Sequence, residues 1–254
     1  MYRLLCDRVG YLIDARTGGR LRVSLLTSAS PELNHMAARF TGFPREATEF
    51  FKKLAAHNNR DWFQTHKDVY ERACREPMKD LVSELGPHFG TSKISRINRD
   101  VRFSADRSPY KTHIAAGVGG FYISLSAGGL YVGAGLYKPD RPALQRFRAA
   151  IDSDTSGREL ARFVASMRRK GYHVDTHEML TTAPRGYSAD HPRIDLLRMK
   201  DIFAGKEMPP GPWLATRKAL ERITRVMTDV KPLSDWLRRH VRTAPTGAGS
   251  RADP

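Results

Sequence analysis

The sequence predicts a single α+β domain, with N-terminal helices, a central and mainly antiparallel sheet, and C-terminal helices. Three observations lead there. Apolar residues recur at helical spacing from Ala47 to Leu85. The spacing falls to two between Ile97 and Val132, and it becomes helical again from Leu144 onward. Blocks in that order differ from the strand–helix alternation of a parallel sheet.

The elements follow in chain order. Residues 1–38 hold no sustained period and carry turn formers at Thr17-Gly18-Gly19 and Ser28-Ala29-Ser30-Pro31, so they read as a poorly ordered extension. One alternative sets the true start at Met36. The domain spans residues 39–242. Pro44 suits a first helical turn, and Ala47, Phe50, Phe51 and Leu54 share one helical face. Asn58-Asn59 ends that helix. The next carries Trp62, Phe63, His66, Tyr70 and Ala73; Pro77 is expected to break or restart it, and Gly86-Pro87 to stop it after Leu85. Ile97, Val101 and Phe103 alternate with polar residues as a strand does. Phe121–Leu125 and Leu130–Gly133 flank Ala127-Gly128-Gly129, which is a hairpin pattern. Gly117, Gly119, Gly120, Gly133 and Gly135 lie in strand-like segments and read as bulges or close backbone approaches. Helices resume over residues 141–151 and 157–170, the second closed by Gly171. Tyr172–Leu180 is a strand candidate and Ile194–Met199 a short helix or strand. Leu220, Ile223, Met227 and Val230 mark a long helix, and Leu233, Trp236 and Leu237 a last one after Pro232. The composition of residues 243–254 is that of a disordered tail.

Composition narrows the function. The net charge is +16, and the basic residues are spread along the chain: residues 92–111 hold six basic and two acidic side chains, and residues 141–170 and 217–242 eight and three each. A field of this sign gathers anions, whether nucleic acid, nucleotides or phosphorylated metabolites. Two cysteines, Cys6 and Cys74, form no disulfide framework, which fits a cytoplasmic location. No apolar run approaches the roughly 18 residues of a membrane span, so no membrane partner is expected. Walker, HExxH, GxSxG and paired CxxC motifs are absent, and no metal or other cofactor is expected. His173 and His177 stand four apart, but on a strand their rings would lie roughly 13 Å apart, too far to share a metal.

The densest chemistry is RDVRFSADRSPYK, Arg99 to Lys111. On a strand, Val101 and Phe103 face the core while Asp100, Arg102 and Ser104 share the opposite face. Arg99 falls on the apolar face, where a guanidinium fork would need a carboxylate or phosphate. Ser104, Asp106 and Ser108 suit a turn, with Tyr110 and Lys111 close behind. One reading is a polar network pinning a loop to a strand. The other is an anion pocket built from Arg99, Arg102, Ser104 and Lys111. His57-Asn58-Asn59-Arg60-Asp61-Trp62-Phe63 is a helix stop, turn and start with Asn59 as cap, or it sets Asn58, Asn59 or Arg60 on a pocket rim. Pro184-Arg185-Gly186-Tyr187 and Asp190-His191-Pro192 set Arg185, Tyr187 and His191 on a loop. If the protein is an enzyme, Asp100, Tyr110 and His191 are the proton-moving candidates.

The same segments resemble an uncharacterised family of bacterial and fungal proteins, of the DUF2461 type. The matching pieces are FTGFP (Phe40–Pro44), HNNRDWFQTHKDVYE (His57–Glu71), RDVRFSADRSPYKTH (Arg99–His113), LYVGAGLYKP (Leu130–Pro139), PRGYSADHPRIDLLR (Pro184–Arg198) and PLSDWL (Pro232–Leu237). Asn98 stands where the family carries an aromatic residue, and Arg107 where Lys is usual. The resemblance implies a single α+β domain and no established reaction. The expected function is a binding module for a phosphate-bearing or other anionic ligand, nucleic acid among them, around RDVRFSADRSPYK. The alternative is a metal-independent enzyme acting on a small anionic substrate.

Overall fold

The computed structural model describes residues 39–100 and 106–242. The expectations for residues 1–38 and 243–254, and for the strand through Val101 and Phe103, lie outside these. Six strands form one antiparallel sheet: β1 (Ser92–Ile94), β2 (His113–Val118), β3 (Phe121–Ser126), β4 (Gly129–Leu136), β5 (His173–Asp175) and β6 (Ile202–Met208), in the order β1-β2-β3-β4-β6-β5. The register places Ile94, Ala116, Ile123, Val132 and Ala204 on one face of the sheet. That face is buried under α1 (Arg45–Ala56), which meets β3, under α4 (Glu76–Phe89), which meets β1 and β2, and under α8 (Lys218–His240), which lies on β4 and β6. The opposite face carries Tyr122, Ser124, Tyr131 and Glu207, all at least partly exposed. The domain is therefore α+β with an antiparallel sheet and helices at both ends, as expected, but β5 and β6 are interleaved with the C-terminal helices instead of preceding them.

Between α1 and α4 run α2 (Arg60–Thr65), α3 (Lys67–Val69) and a π-helical segment, Tyr70–Arg75. After β4 come α5 (Arg141–Asp152) and α6 (Asp154–Arg169), and between β5 and β6 the short α7 (Ile194–Leu197). The bidentate pair Arg217–Glu84 ties the start of α8 to α4, with both N–O distances 3.0 Å. It also holds the entering chain, because Glu84 accepts from the Phe40 amide and Arg217 donates to the Phe40 carbonyl, each at 2.8 Å. These donors hold the Glu84 carboxyl below its ordinary pKa. No helix among the described residues is long and apolar enough to cross a membrane.

Several local expectations give way to packing. Pro77, where a break or restart is expected, sits in the first turn of α4 and marks the restart. It offers no N–H to the Ala73 carbonyl, and the turn before it widens to the π form, closed by the Glu76 N–H on the Glu71 carbonyl. The helix runs through Gly86-Pro87 to Phe89. Glycine has no Cβ to clash with the proline ring, so the residue before Pro87 can stay helical. Pro232 likewise lies inside α8. The buried row Val226, Met227 and Val230 continues as Leu233, Trp236 and Leu237, and burying such side chains at roughly 1.5–3 kcal/mol each outweighs the roughly 3 kcal/mol that an interior proline costs. The candidate strand at Tyr172–Leu180 shrinks to His173–Asp175, and residues Ile194–Leu197 are helical.

The predicted hairpin is present, with Ala127-Gly128 as the link between β3 and β4. The close approach expected of Gly119 is also present. It turns β2 into β3 at φ +55°, and a Cβ there would lie 1.6 Å from the Phe89 carbonyl oxygen.

Candidate functional site

The HNNRDWF and SPYK motifs meet in space through one side chain. Asn59 is extended at φ −137° and accepts from the Trp62 amide at 2.9 Å, so it caps α2. Its neighbour Asn58 reaches across 52 positions of sequence to Tyr110. The Asn58 amide nitrogen donates to the Tyr110 carbonyl at 2.9 Å, and the Tyr110 N–H donates to the Asn58 oxygen at 3.1 Å. A side-chain amide that pairs with both main-chain groups of one residue copies a rung of a β-ladder. On its other side Tyr110 bridges Asn98, framed by bonds from Arg99 N to Pro109 O and from Lys111 N to Ile97 O, both 2.9 Å. Gripped on both sides, Tyr110 buries its ring and stacks it on Phe63 at 4.0 Å, and Phe63 in turn meets Tyr70 at 5.6 Å.

These three rings floor a cleft of about 390 Å³ between the helical segment and the Ile94–Asn98 stretch. The π turn supplies Tyr70, Glu71 and Arg75 to it. Such turns are rare and often sit at functional sites. Lys67, Lys79 and Arg96 add to the wall. Arg75 lies 3.3 Å from Glu71, and Lys79 lies 2.6 Å from Glu76. Among the described residues Lys67 and Arg96 have no carboxylate partner, so the cleft keeps unneutralised positive charge. Burial pushes the Tyr70 phenol far above its ordinary pKa, which keeps it a neutral hydrogen-bonding group.

The residues singled out in the sequence fall in three places. Tyr110, with Ile97 and Asn98, lines the cleft. Arg99 is ion-paired with Asp106 inside its own loop, so it is not a free cation. Lys111 is tied by its ammonium to the Arg96 carbonyl at 3.0 Å. Burial, then the nearby Lys111 and Arg99 charges, hold His113 below its ordinary pKa. Asp100 is exposed, and Arg102 and Ser104 lie outside the described residues. Asn59 acts through its cap. Arg185, Tyr187 and His191 sit apart from the cleft, on the loop that leads into α7. There His191 Nδ1 accepts from the Arg193 amide at 3.0 Å, and Nε2 lies 3.3 Å from Asp152. Arg193 donates to the Ile151 and Asp152 carbonyls at the end of α5. The histidine thus fastens a loop. Burial and the Asp152 charge push the Tyr187 phenol up, and Arg185 is exposed on the Gly186 turn. His173 and His177 are likewise separate: His177 is held by Asp201 at 2.9 Å.

Asp106 carries a testable signature. The Ser108 hydroxyl donates to it at 2.6 Å and the Ser108 amide at 2.9 Å, and Arg99 adds a third partner. Together they bring its pKa down to about 2. The folded value lies below the roughly 3.9 of a free aspartate, so the contribution of this turn to stability is present above about pH 4 and lost as pH falls toward 2. In a carbon-detected NMR titration the Asp106 carboxyl is expected to titrate near 2. In the Ser108→Ala protein the midpoint should rise toward the ordinary value.

Of the rim candidates Asn58, Asn59 and Arg60, it is Asn58 that joins the motifs, through Tyr110. What sequence reasoning missed was the charged lining. Lys67, Glu71, Arg75 and Lys79 recur at four-residue spacing, a helical stripe that was legible in the sequence. The fold and the cleft define an α+β domain with a basic, aromatic-floored site at the β1 edge of an antiparallel sheet. The chain belongs to the conserved hypothetical protein family DUF2461, whose model matches residues 46–236. Among curated proteins and solved structures, nothing matches the chain.

Proposed function

We propose that this domain binds a small phosphate-bearing ligand in the cleft beside Tyr110. The supporting observation is that Lys67 and Arg96, both without a carboxylate partner among the described residues, line a concave site floored by Phe63, Tyr70 and Tyr110. Two free cations suit a phosphate, and stacked rings suit a flat or apolar remainder. The volume falls in the range of small-molecule sites, and its concavity favours a small molecule over a polymer. The net charge of +16 raises the local concentration of any such anion. A second reading, a metal-independent enzyme, draws on Glu71 and Tyr70, a carboxylate and a phenol lining the same cleft.

A thermal-shift series with nucleotides, sugar phosphates and short oligonucleotides tests the binding. A true ligand at a hundredfold excess over its Kd stabilises the parent by about 2.7 kcal/mol. The Lys67→Ala/Arg96→Ala protein, altered only at exposed positions, should melt like the parent without ligand and lose the shift. No shift of the parent with any phosphate-bearing compound, or an equal shift in both proteins, would overturn the proposal. Turnover of a compound that shifts the parent would select the enzymatic reading.

A further inference from the structure

A second concavity, of about 470 Å³, opens toward the other edge of the sheet, where β6 and the end of α6 meet α8. It shares no lining residue with the cleft beside Tyr110. Lys206 is its oddest member. In β6 it pairs in register with Val132, which places a lysine on the sheet face that buries the core. Dehydrating an ammonium is costly unless a partner compensates it. Here the compensation is a ring: the Lys206 ammonium lies 5.3 Å from the Tyr172 ring centroid. Arg222, one wall further on, is held the same way, 4.4 Å over Trp213.

A cation steadied by an aromatic face differs from one steadied by a carboxylate. The ring fixes the side chain but neutralises no charge and leaves N–H donors open. The lone carboxylate of the lining, Asp229, is already engaged. The Tyr172 hydroxyl donates to it at 2.5 Å, and the Lys170 ammonium lies 3.6 Å away. Burial and Asp229 itself push the Tyr172 phenol far up, so this donor stays on Asp229 at every physiological pH. Among the described residues, then, Lys206, Arg222 and Arg225 line one hollow without an ion pair to a carboxylate, Asp229 being held by Tyr172 and Lys170.

We infer that this hollow is a separate binding site for a multiply charged phosphate group, of the pyrophosphate kind. Three cations around one hollow, two of them steadied by rings, match an anion that carries two or more charges over several oxygens. Of the eight residues lining the hollow, four are basic, so charge is the chemistry they offer a ligand. The ordering of Lys206 and Arg222 by rings means that less side-chain freedom is lost on binding.

Calorimetric titration of the full chain with inorganic pyrophosphate, in about 0.15 M chloride so that diffuse attraction is screened, tests the site. The Lys206→Met/Arg225→Gln protein should lose a pyrophosphate site, with affinity at least tenfold weaker, and the Lys67→Ala/Arg96→Ala protein should retain it. Arg225→Gln alone, an exposed change on a helix, should weaken binding severalfold without moving the unliganded melting temperature. Absence of saturable binding to the parent would overturn the inference. So would unchanged affinity in the two Arg225 proteins, or loss of all binding in the Lys67→Ala/Arg96→Ala protein. A failure here leaves the cleft beside Tyr110 untouched, because the two sites are read by different variants.

Discussion

Replacing Asn58 with Ala is expected to lower the unfolding free energy by about 2–4 kcal/mol, because two main-chain groups of one residue lose their partner together. Asn58 satisfies both the N–H and the C=O of Tyr110, and each buried group left unpaired costs about 1–3 kcal/mol. The loss should spread. Tyr110 carries the ring stacked on Phe63, so freeing its backbone loosens the floor of the cleft. Asn58→Asp keeps the acceptor and loses the donor, so it should fall between parent and Asn58→Ala. Asn59→Ala is the control one position away. It removes only the cap on Trp62, typically about 1 kcal/mol. Urea denaturation with the m-value unchanged provides the comparison. If the Asn58 change costs no more than the Asn59 change, the side-chain rung between the two motifs has no energetic weight.

Gly119→Ala is expected to cost more, about 4 kcal/mol or above, at the end of the spectrum reserved for specific steric causes. Two effects add. The residue sits at φ +55°, where an L side chain costs about 1–2 kcal/mol. The new methyl would also lie 1.6 Å from the Phe89 carbonyl oxygen, deep inside contact distance. The β2–β3 turn would have to leave the end of α4, and the bond from Gly119 N–H to the Thr91 carbonyl, 2.9 Å, would go with it. Gly171→Ala separates the two effects. Gly171 has φ +74°, but a Cβ there meets nothing within 4 Å. It should therefore show the backbone cost alone, about 1 kcal/mol. Equal destabilisation of both proteins in chemical denaturation would show that the α4 contact is soft.

These positions also measure how far a one-dimensional reading reaches. The α1 face, the Ala127-Gly128 link and the end of α6 at Gly171 were readable because each follows from residues a few positions apart. Pro87 and Pro232 do not end their helices, for the opposite reason. Each removes one local bond, but the apolar rows around them are buried against distant elements, and that burial holds the helices through. Strand β6 was not announced at all. Gly205 lies under the Tyr131 ring and Lys206 faces a cavity, so two of its seven residues break the alternation a strand should show. Only its pairing with β4 and β5 reveals it.

For the candidate site, HNNRDWF and SPYK meet through Asn58. Among the described residues the cleft cations without a carboxylate partner are Lys67 and Arg96, whereas Arg99 is paired. Arg99 and Asp106 stand seven positions apart with a turn between, and nothing in their order says that they close on each other.

The α+β class, the buried stripes of the long helices, the positive charge and the family membership were all determined by the sequence itself, since periodicity and composition are properties of the chain. Which of the cations are neutralised was decided only by the tertiary structure. Charges separate into paired and unpaired according to distances of a few ångströms across the fold, and an interaction that decays so steeply in water leaves no trace in sequence spacing.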